Sequence, residues 1–556
     1  MPIALPKLRA PVCVGVTGHR HLDQTQLGAL RARVRSTLKE LQSGLPHTPL
    51  VLLNALAEGA DQLVAEVAIE LGIALIVPLP MEPLRYATTF EEAEAAERMA
   101  TLLESSSASC VLGKAEDSDA ACFIKLETYL AQHAHLLVAL WDGKAERGEG
   151  GTASVVETAR TSEVQMHGEG ADWARQEEIQ RTPSIPVLWL RALREGQQAF
   201  AGGQDELVVL PPRDLLADDS ASAEKPSKMS LADVLTIYLK GGDDLNAVLE
   251  AAPKESAVND PWSQRFQLAD AKAIALQAKT RRLYAIRLAM VVGGFLGLEM
   301  SVGPFSGIAW ASFASLLLMA VGTFGLAKWN KSLDRRYLEF RTLAEHLRIS
   351  QFLRSQTSHR SRSGSSTQHL RLVAQAGDWL CHTLGAWEML DSFEENSPPM
   401  PQTQDVLRDW VDDQAAYFRK AIVREKKGEK AYTKCANGLL LLGLLISAIL
   451  GASALPWLEQ ALSGLQMSLA IAATAVILIA AAVRTFKDYR AFGHTANRYG
   501  LALVRFELAQ RGVRLALAQE DSAAALQGLS DLAGHARREN SEWFSLQLDR
   551  PPDAEI

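Results

Sequence analysis

The most constraining feature of the sequence is a long apolar segment, residues 284–328, with a single break near its centre. Gly303-Pro304 forms that break and predicts a tight turn between two helices. The two arms, 284–302 and 308–327, each approach the roughly 20 residues that a helix needs to cross a bilayer. A buried hairpin of a soluble protein is the alternative, but core helices seldom stay apolar over this length. We therefore predict a transmembrane hairpin.

Basic residues flank this hairpin on both sides, whereas the turn between its arms contains no Lys or Arg. Cytoplasmic flanks of membrane helices carry an excess of Lys and Arg, so both flanks are expected in the cytoplasm. The N-terminal residues contain no apolar stretch long enough for a signal peptide, which places the N-terminal region there too. The flanking cations are Lys279, Arg281, Arg282, Arg287, Lys328, Lys331, Arg335 and Arg336.

A second apolar hairpin follows, with arms at 436–455 and 467–483 and basic residues again on both flanks. The helix after each hairpin carries Tyr, Phe and Ala at the same spacing, which predicts an internal repeat of hairpin and trailing helix. Both copies would enter and leave the bilayer on the same side, so the C-terminus is also predicted to be cytoplasmic. The matching pairs are Tyr337 and Tyr489, Phe340 and Phe492, and Ala344 and Ala496.

Before the hairpins, short apolar runs alternate with segments of helical periodicity. Strands that are apolar throughout and alternate with helices are typical of a parallel sheet with both faces covered. The predicted fold class is therefore α/β, a doubly wound parallel-sheet Rossmannoid domain, followed by an all-α membrane region with two transmembrane hairpins. The runs interpreted as strands are 11–16, 49–54, 74–79, 110–112, 136–141 and 185–190.

Composition excludes some classes of partner. The chain has 57 basic and 65 acidic residues and a net charge of −8, which does not indicate nucleic-acid binding. Its five cysteines are scattered without the spacing of metal ligands, so we expect reduced thiols and no metal site. The basic residues lie beside the apolar hairpins, where they can contact anionic headgroups, and the lipid bilayer is therefore an expected partner.

Three loops follow predicted parallel strands, whose carboxyl ends line one crevice in a doubly wound sheet. In the first, Gly18 permits close approach of a ligand and Arg20 offers a fork for phosphate. In the second, residues 58–61, a carboxylate could accept from ribose hydroxyls. Each loop also has a purely structural explanation, because glycine is common at strand-to-helix turns and Asp61 could simply cap its helix.

The third loop is rich in glycine and enters a helix, which suits a phosphate held by backbone N–H groups. We predict that the three loops together bind a nucleotide-derived ligand. The predicted ligand-binding residues are Gly18, His19, Arg20, Glu58, Gly59, Asp61, Asp142, Gly143, Gly150, Gly151 and Thr152.

The stretches GVTGHR, ALAEGADQLVAE and WDG…GGT resemble the SLOG superfamily, Rossmannoid domains related to the Lonely-Guy nucleotide hydrolases and to the DNA-processing protein DprA. This resemblance covers about residues 10–195. The hairpin and its trailing helix, RYLEFRTLAEHLRISQFLR, are similar to the SLATT two-helix membrane domain that accompanies SLOG domains in bacterial conflict systems. That similarity covers about 265–355, and a diverged second copy covers about 415–515.

The resemblance implies a sensor for a nucleotide-derived signal, ADP-ribose-like or a cyclic nucleotide, joined to an effector that perforates or depolarises the bacterial inner (plasma) membrane in antiphage defence. Related SLOG domains in Thoeris-type effectors and in melastatin-type TRP channels bind ADP-ribose-like ligands. A homo-oligomer is expected. The predicted segments are a nucleotide-binding domain (1–215), a linker and helix (216–261), the first hairpin with flanking helices (262–356), a connecting segment (357–404), the second hairpin with flanking helices (405–548) and a tail (549–556).

The chain departs from the hydrolase pattern. Lonely-Guy enzymes carry PGGxGTxxE, with the catalytic glutamate three residues after the threonine. Here Gly150-Gly151-Thr152 lacks the proline, and Glu157 is five residues after the threonine. On a helix, the positions three and five residues after the threonine differ by about 200° in direction, so Glu157 would not occupy the place of the catalytic glutamate. We therefore expect binding without turnover and assign no catalytic residue. The alternatives are a membrane-anchored nucleotide hydrolase (phosphoribohydrolase-like) with Glu58 or Asp142 as its acid–base group, and a structural membrane scaffold.

Two further features lie within the first arm of the first hairpin. Gly293 and Gly297 form a GxxxG pair that would allow close helix packing. Glu299 is an acid inside an apolar arm, and such charges are commonly functional, although this one lies near the outer end and could reach the headgroups.

Overall fold

A seven-stranded sheet forms the centre of the N-terminal part of the chain. This computed structural model describes residues 2–144, 151–161, 184–194, 197, 207–213, 229–251, 260–302, 309–353, 378–393, 402–453, 455 and 464–548. The chain divides into two units, Met1–Leu268 with Arg354–Pro399 and Ala269–Leu353 with Met400–Ile556, and the sheet belongs to the first.

The strands lie in the order β4-β3-β2-β1-β5-β6-β7, and every neighbouring pair is parallel except β6 and β7. This order confirms the doubly wound α/β fold. The antiparallel edge strand β7 has no counterpart among the predicted strands. The strands are β1 (Val12–Gly18), β2 (Leu50–Leu53), β3 (Ala74–Leu79), β4 (Ala108–Val111), β5 (Leu136–Trp141), β6 (Val187–Arg191) and β7 (Leu207–Leu210).

Alternate residues of each strand point to opposite faces of the sheet, and helices cover both faces. Val14 and Val138 belong to the core on one face, with side chains of α1, α2 and α4. Cys13 and Leu137 belong to the core on the other face, with α5 and α6. The helices are α1 (Leu27–Gly44), α2 (Ala60–Glu70), α3 (Pro83–Ala87), α4 (Ala93–Glu104), α5 (Asp119–His133), α6 (Thr152–Thr161), α7 (Leu231–Val234) and α8 (Lys240–Glu250).

Long helices dominate the rest of the described chain. Helix α9 (Pro261–Val302) joins the approach segment and the first arm without a break, and α10 (Ala309–Ala320) passes through a π-helical turn into α11 (Leu326–Phe352). Among the described residues, four helical stretches are long and apolar enough to cross a membrane, which fits a multi-pass membrane protein. The remaining helices are α12 (Asp378–Asp391), α13 (Thr403–Val406), α14 (Asp413–Ala452), α15 (Gln466–Arg490), α16 (Phe492–Ala518) and α17 (Ser522–Leu548).

The segment between the two hairpins contributes to the first unit. The sequence suggests a connecting segment over 357–404, but α12 lies within it and belongs to the unit that contains the sheet. Met389 and Leu390 pack on the sheet face that α5 and α6 cover. Leu384 and Trp387 are fully buried, which gives α12 a hydrophobic reason to pack there.

The two arms of the first hairpin approach each other at small residues. A Cβ on Gly294 would overlap Met319 and would lie 2.9 Å from the carbonyl oxygen of Ser315. A Cβ on Gly297 would lie 2.5 Å from Ser315 Oγ. At Gly293 the nearest atom would be 3.8 Å away, which is an ordinary contact. The close approach therefore involves Gly294 and Gly297, whereas the sequence suggested Gly293 and Gly297.

The helices that follow the two hairpins bury the corresponding Phe and Ala residues, but only the first of these helices continues directly from its membrane arm. Phe340 and Ala344 are buried after the first hairpin, and Phe492 and Ala496 are buried after the second. However, α11 continues directly from its arm, whereas Ala491 adopts a left-handed conformation (φ +46°) that separates α15 from α16. The internal repeat itself stays a prediction.

Candidate functional site

The candidate site lies at the carboxyl edge of the sheet, beside the point where the strand order reverses. Strand β1 pairs with β2 on one side and with β5 on the other, and open α/β sheets bind ligands at such a switch point. Gly18 ends β1, Asp142 follows β5, and residues 58–61 enter α2 after β2. The predicted loops therefore share one edge. Gly150 lies outside the described residues.

The first two loops are in direct backbone contact. The N–H of Ala60 donates to the carbonyl oxygen of His19 at 3.0 Å. Gly59 has φ +86°, and a Cβ there would overlap the carbonyl oxygen of Arg20. A Cβ on Gly18 would overlap the side chain of Ala60. Both glycines are thus required because the backbones come so close, which is the structural explanation that the sequence left open.

His19 and Asp142 form a buried pair between the ends of β1 and β5. Both residues are less than a tenth exposed, and the Asp142 N–H donates to His19 Nε2 at 3.0 Å. Burial, and then the charge of Arg194, lower the pKa of His19. The 3.1 Å contact between Nε2 and Asp142 Oδ1 acts in the opposite sense and favours the charged imidazole, but burial has the larger effect on the pKa.

Two residues that the sequence did not indicate complete this pair. Gln197 Nε2 donates to Asp142 Oδ2 at 2.9 Å, and Arg194 Nε donates to His19 Nε2 at 3.3 Å. Although burial opposes it, hydrogen bonds from Gln197 and from the Lys144 N–H keep the pKa of Asp142 below its ordinary value. Both residues follow β6, so only the order β1-β5-β6 brings them to the site.

Arg20 turns its guanidinium toward the segment between α3 and α4. Its Nη1 donates to the carbonyl oxygen of Thr89 at 2.9 Å, and the guanidinium lies 5.8 Å from the ring centre of Phe123. It is near enough to favour the ionised form of Asp61 electrostatically. The hydroxyl of Tyr86 is buried near the same carboxyl and, within the described residues, has no hydrogen-bond partner. Arg20, Asp61 and Tyr86 thus form a second polar group beside the crevice.

Asp61 is buried in the first turn of α2, where burial raises the pKa of its carboxyl to about 7. This value lies above the ordinary value of about 4, so folding favours the protonated form. The stabilisation is complete below about pH 4 and is lost as the pH rises to about 7. His19 acts in the opposite sense, because its lowered pKa removes stability as the pH falls below about 6.5.

We therefore expect Asp61→Asn to stabilise the protein at pH 8 but to have little effect at pH 4, because Asn removes the cost of ionising a buried carboxyl. Thermal unfolding of the full chain in detergent over pH 4–8 measures the difference. Asp244→Asn, at a partly exposed residue of α8, is the control for the substitution itself. A pH-independent effect of Asp61→Asn would contradict the raised pKa.

The carboxylate of Glu58 forms hydrogen bonds with backbone groups of the protein. Its two carboxylate oxygens accept from the N–H groups of Glu91 and Glu92 at 3.1 and 3.2 Å, immediately before α4. The carboxylate therefore satisfies free N–H groups at a helix start and is not positioned to accept from ribose in this arrangement. Asn54 is also fully buried, and its amide donates to the carbonyl oxygen of Asp61 at 2.8 Å. Asn54 thus fixes the second loop, a role that the sequence did not indicate.

The third loop ends at a helix N-terminus on the same edge. Thr152 is the first residue of α6, and the carbonyl oxygen of Gly151 accepts from the Val155 N–H at 3.2 Å. The carbonyl oxygen of Ala159 accepts from the N–H of Ile185, which lies just before β6 begins. Helix α6 therefore runs toward the amino edge of the sheet, and its first turn lies at the carboxyl edge.

Gly143 turns the chain directly after β5. It has φ +77°, and a Cβ there would lie 2.8 Å from the ring of Trp189. Glu157 on α6 instead forms an ion pair with Arg213 at 2.5 Å, so its carboxylate faces the segment after β7. That Glu157 does not occupy the position of a Lonely-Guy catalytic glutamate stays a prediction from its spacing after Thr152.

The arrangement suits anion binding better than metal binding. Two helix N-termini, those of α2 and α6, and the cation Arg20 lie at one edge of the sheet. Among the residues that the structure describes, no group of three or more His, Cys, Asp or Glu could hold a metal ion.

Comparison with known proteins gives no relative from which a function could be transferred. No protein-family model matches this chain, and no curated protein matches it either. The similarity to SLOG and SLATT domains therefore stays a prediction from the motifs alone.

Proposed function

We propose that the crevice binds a nucleotide-derived ligand through its phosphates and that binding opens a path through the membrane helices. The chain would then be a SLOG-type sensor joined to SLATT-type hairpins, acting in antiphage defence at the bacterial inner membrane. The observation that carries this proposal is the pair of helix N-termini, of α2 and α6, beside the β1–β5 switch point.

Three properties of the site support an anionic ligand. The positive charge of Arg20 acts on Asp61 in the second loop. Burial keeps Asp61 protonated up to about pH 7, so this acid at the start of α2 does not repel a phosphate below that pH. His19 and Asp142 already form hydrogen bonds with protein groups, so we assign phosphate binding to the starts of α2 and α6.

The membrane part of the proposal rests on the four apolar helical stretches. A tether would need only one span, whereas two hairpins provide a bundle that can exist in two arrangements. A ligand changes such an equilibrium only if it binds one arrangement more tightly than the other. We therefore propose that the sensor holds its ligand without consuming it.

The test uses Gly151, at the start of α6. Both Gly151→Asp and Gly151→Asn can cap the helix, so both variants should fold, but only Asp places a negative charge where phosphate would lie. We expect Gly151→Asn to retain binding and Gly151→Asp to lose at least about tenfold in affinity, equivalent to about 1.4 kcal/mol. Mass spectrometry first identifies small molecules that co-purify with the full chain. Calorimetry with ADP-ribose then measures the affinity of each variant. Arg20→Ala should weaken binding in the same direction.

The functional measurement uses the full chain in phosphatidylethanolamine–phosphatidylglycerol liposomes with a trapped dye. Ligand should release dye from wild-type and Gly151→Asn liposomes but not from Gly151→Asp liposomes, and it should be recovered intact. Equal binding by the two variants would exclude the proposed position of the phosphate. Binding without dye release would exclude the effector.

The runner-up function is a membrane-anchored nucleotide hydrolase, and Asp61 is the observation that favours it. A buried carboxyl with a pKa of about 7, near Arg20 and the hydroxyl of Tyr86, has the properties of a general acid or base. The earlier candidates are less suitable, because Glu58 holds the start of α4 and the pKa of Asp142 is lowered. Appearance of free base or ribose phosphate in the same liposome experiment, abolished by Asp61→Asn, would favour this alternative.

A further inference from the structure

Glu299 is chemically isolated within the membrane region. In the described apolar stretches 288–302, 309–327, 436–453 and 464–483, it is the one Asp, Glu, His, Lys or Arg. The nearest charged residues on the helices of this region are Arg287, Lys328, Lys434 and Arg484, all at the basic ends of the hairpins.

Glu299 lies where the first hairpin contacts the second. Thr474 Oγ1 on α15 donates to Glu299 Oε1 on α9 at 2.9 Å. Tyr284 and Tyr489 stack at 3.8 Å between ring centres at the basic end of the same two helices. The two contacts are 15 residues apart on each helix, which corresponds to about 22 Å along an α-helix. Helices α9 and α15 are therefore antiparallel neighbours, joined near both ends of the apolar region.

The second carboxyl oxygen of Glu299 has no hydrogen-bond partner. Its Oε2 atom is buried and has no hydrogen-bond partner, charged or neutral, among the described residues. An ionised carboxylate without a counter-ion is expensive in an apolar environment. A proton on Oε2 removes this cost and leaves Oε1 free to accept from Thr474.

We propose that Glu299 is a proton-binding site that controls the contact between the two hairpins. Protonated, it holds α9 against α15 through Thr474. Ionised, it separates the helices or recruits water. Its protonation is independent of the proposed function, whereas its effect on permeability rests on that function.

Infrared spectroscopy of the full chain in phosphatidylethanolamine–phosphatidylglycerol liposomes tests the site. The wild type should show the C=O band of a protonated carboxyl, and Glu299→Gln should remove the part of this band that remains in Asp61→Asn, because Asp61, with a pKa of about 7, contributes a C=O band of its own. Thr474→Val should shift the band to higher frequency, because the carbonyl loses its hydrogen-bond donor. Glu339→Gln is the matched control: Glu339 is buried but paired with Arg335 at 3.0 Å, so its removal should leave the band unchanged. A wild-type spectrum identical to that of Glu299→Gln at pH 7 would overturn the proposal.

Permeability separates this inference from the proposed function. Raising the pH until the band assigned to Glu299 disappears should increase leakage of trapped dye in the wild type but not in Glu299→Gln. If the band titrates and neither protein leaks under any condition, the effector function fails but the proton site stands. If ligand releases dye and leakage follows the same pH dependence in both proteins, the control of the hairpins by Glu299 is refuted.

Discussion

Replacing Gly59 by alanine is expected to destabilise the N-terminal α/β domain by at least about 3 kcal/mol and to abolish binding of the proposed ligand. The residue has φ +86°, where a side chain is strained, and the added Cβ would overlap the carbonyl oxygen of Arg20. Relief requires the first two loops to separate, which breaks the hydrogen bond from the Ala60 N–H to the carbonyl oxygen of His19. The loss therefore combines backbone strain, steric overlap and a broken contact within the site.

Gly72 provides a matched control for this prediction. It also has a positive φ, +71°, but a Cβ there would have no atom within 4 Å. Gly72→Ala should therefore show the conformational cost alone, about 1–2 kcal/mol. Hydrogen exchange of the full chain in detergent, followed in peptides that cover β1 and α2, measures the opening free energy locally. Similar protection in the two variants would show that the contact between the loops contributes little.

The fold was predictable because its signals are local. Each apolar run of the sheet is bounded by helical periodicity, and the membrane arms are long, apolar and flanked by cations. The edge on which the three loops meet follows from the same pattern, since each loop lies after a parallel strand. Sequence could therefore place Gly18, Asp61 and Asp142 at one edge without any knowledge of contacts.

The contacts within the site depend on which strands and helices become neighbours. Local sequence patterns do not specify these neighbours. Arg194 and Gln197 reach His19 and Asp142 only because β6 lies beside β5. Glu58 has a side chain that could bind a ligand, but its carboxylate accepts from the N–H groups at the start of α4, which comes some thirty residues later in the chain.

Helix α12 illustrates the same limit over a longer distance. Its polar surroundings in sequence are typical of a linker, yet Trp387 is completely buried in the first unit. Tertiary packing decides which surface such a helix covers, because an amphipathic helix can pack against any exposed apolar surface of suitable shape.

Arg265 fixes the first turns of α9 within the first unit. The side chain is only 2% exposed, and its guanidinium lies 5.1 Å from the ring centre of Trp262 and 4.5 Å from that of Trp387. It donates to the carbonyl oxygens of Lys7 and Leu8. Helix α9 continues from this cluster without a break to Val302, so the proposed coupling between ligand binding and the membrane helices would pass through it.

We expect Arg265→Met to preserve ligand binding but to reduce ligand-dependent dye release about tenfold or more. Methionine keeps apolar contact with the tryptophans but leaves the carbonyl groups of Lys7 and Leu8 without their donor, a loss of about 1–3 kcal/mol. The site residues lie at the carboxyl edge of the sheet and do not include these groups, so affinity should not change. Lys279→Met, at an exposed position of the same helix, removes a cation without a buried contact and should leave both binding and release unchanged. Full dye release by Arg265→Met at wild-type affinity would mean that the signal does not pass through the start of α9. A loss of binding in parallel with the loss of release would mean that Arg265 supports the fold of the N-terminal domain and has no separate role in coupling.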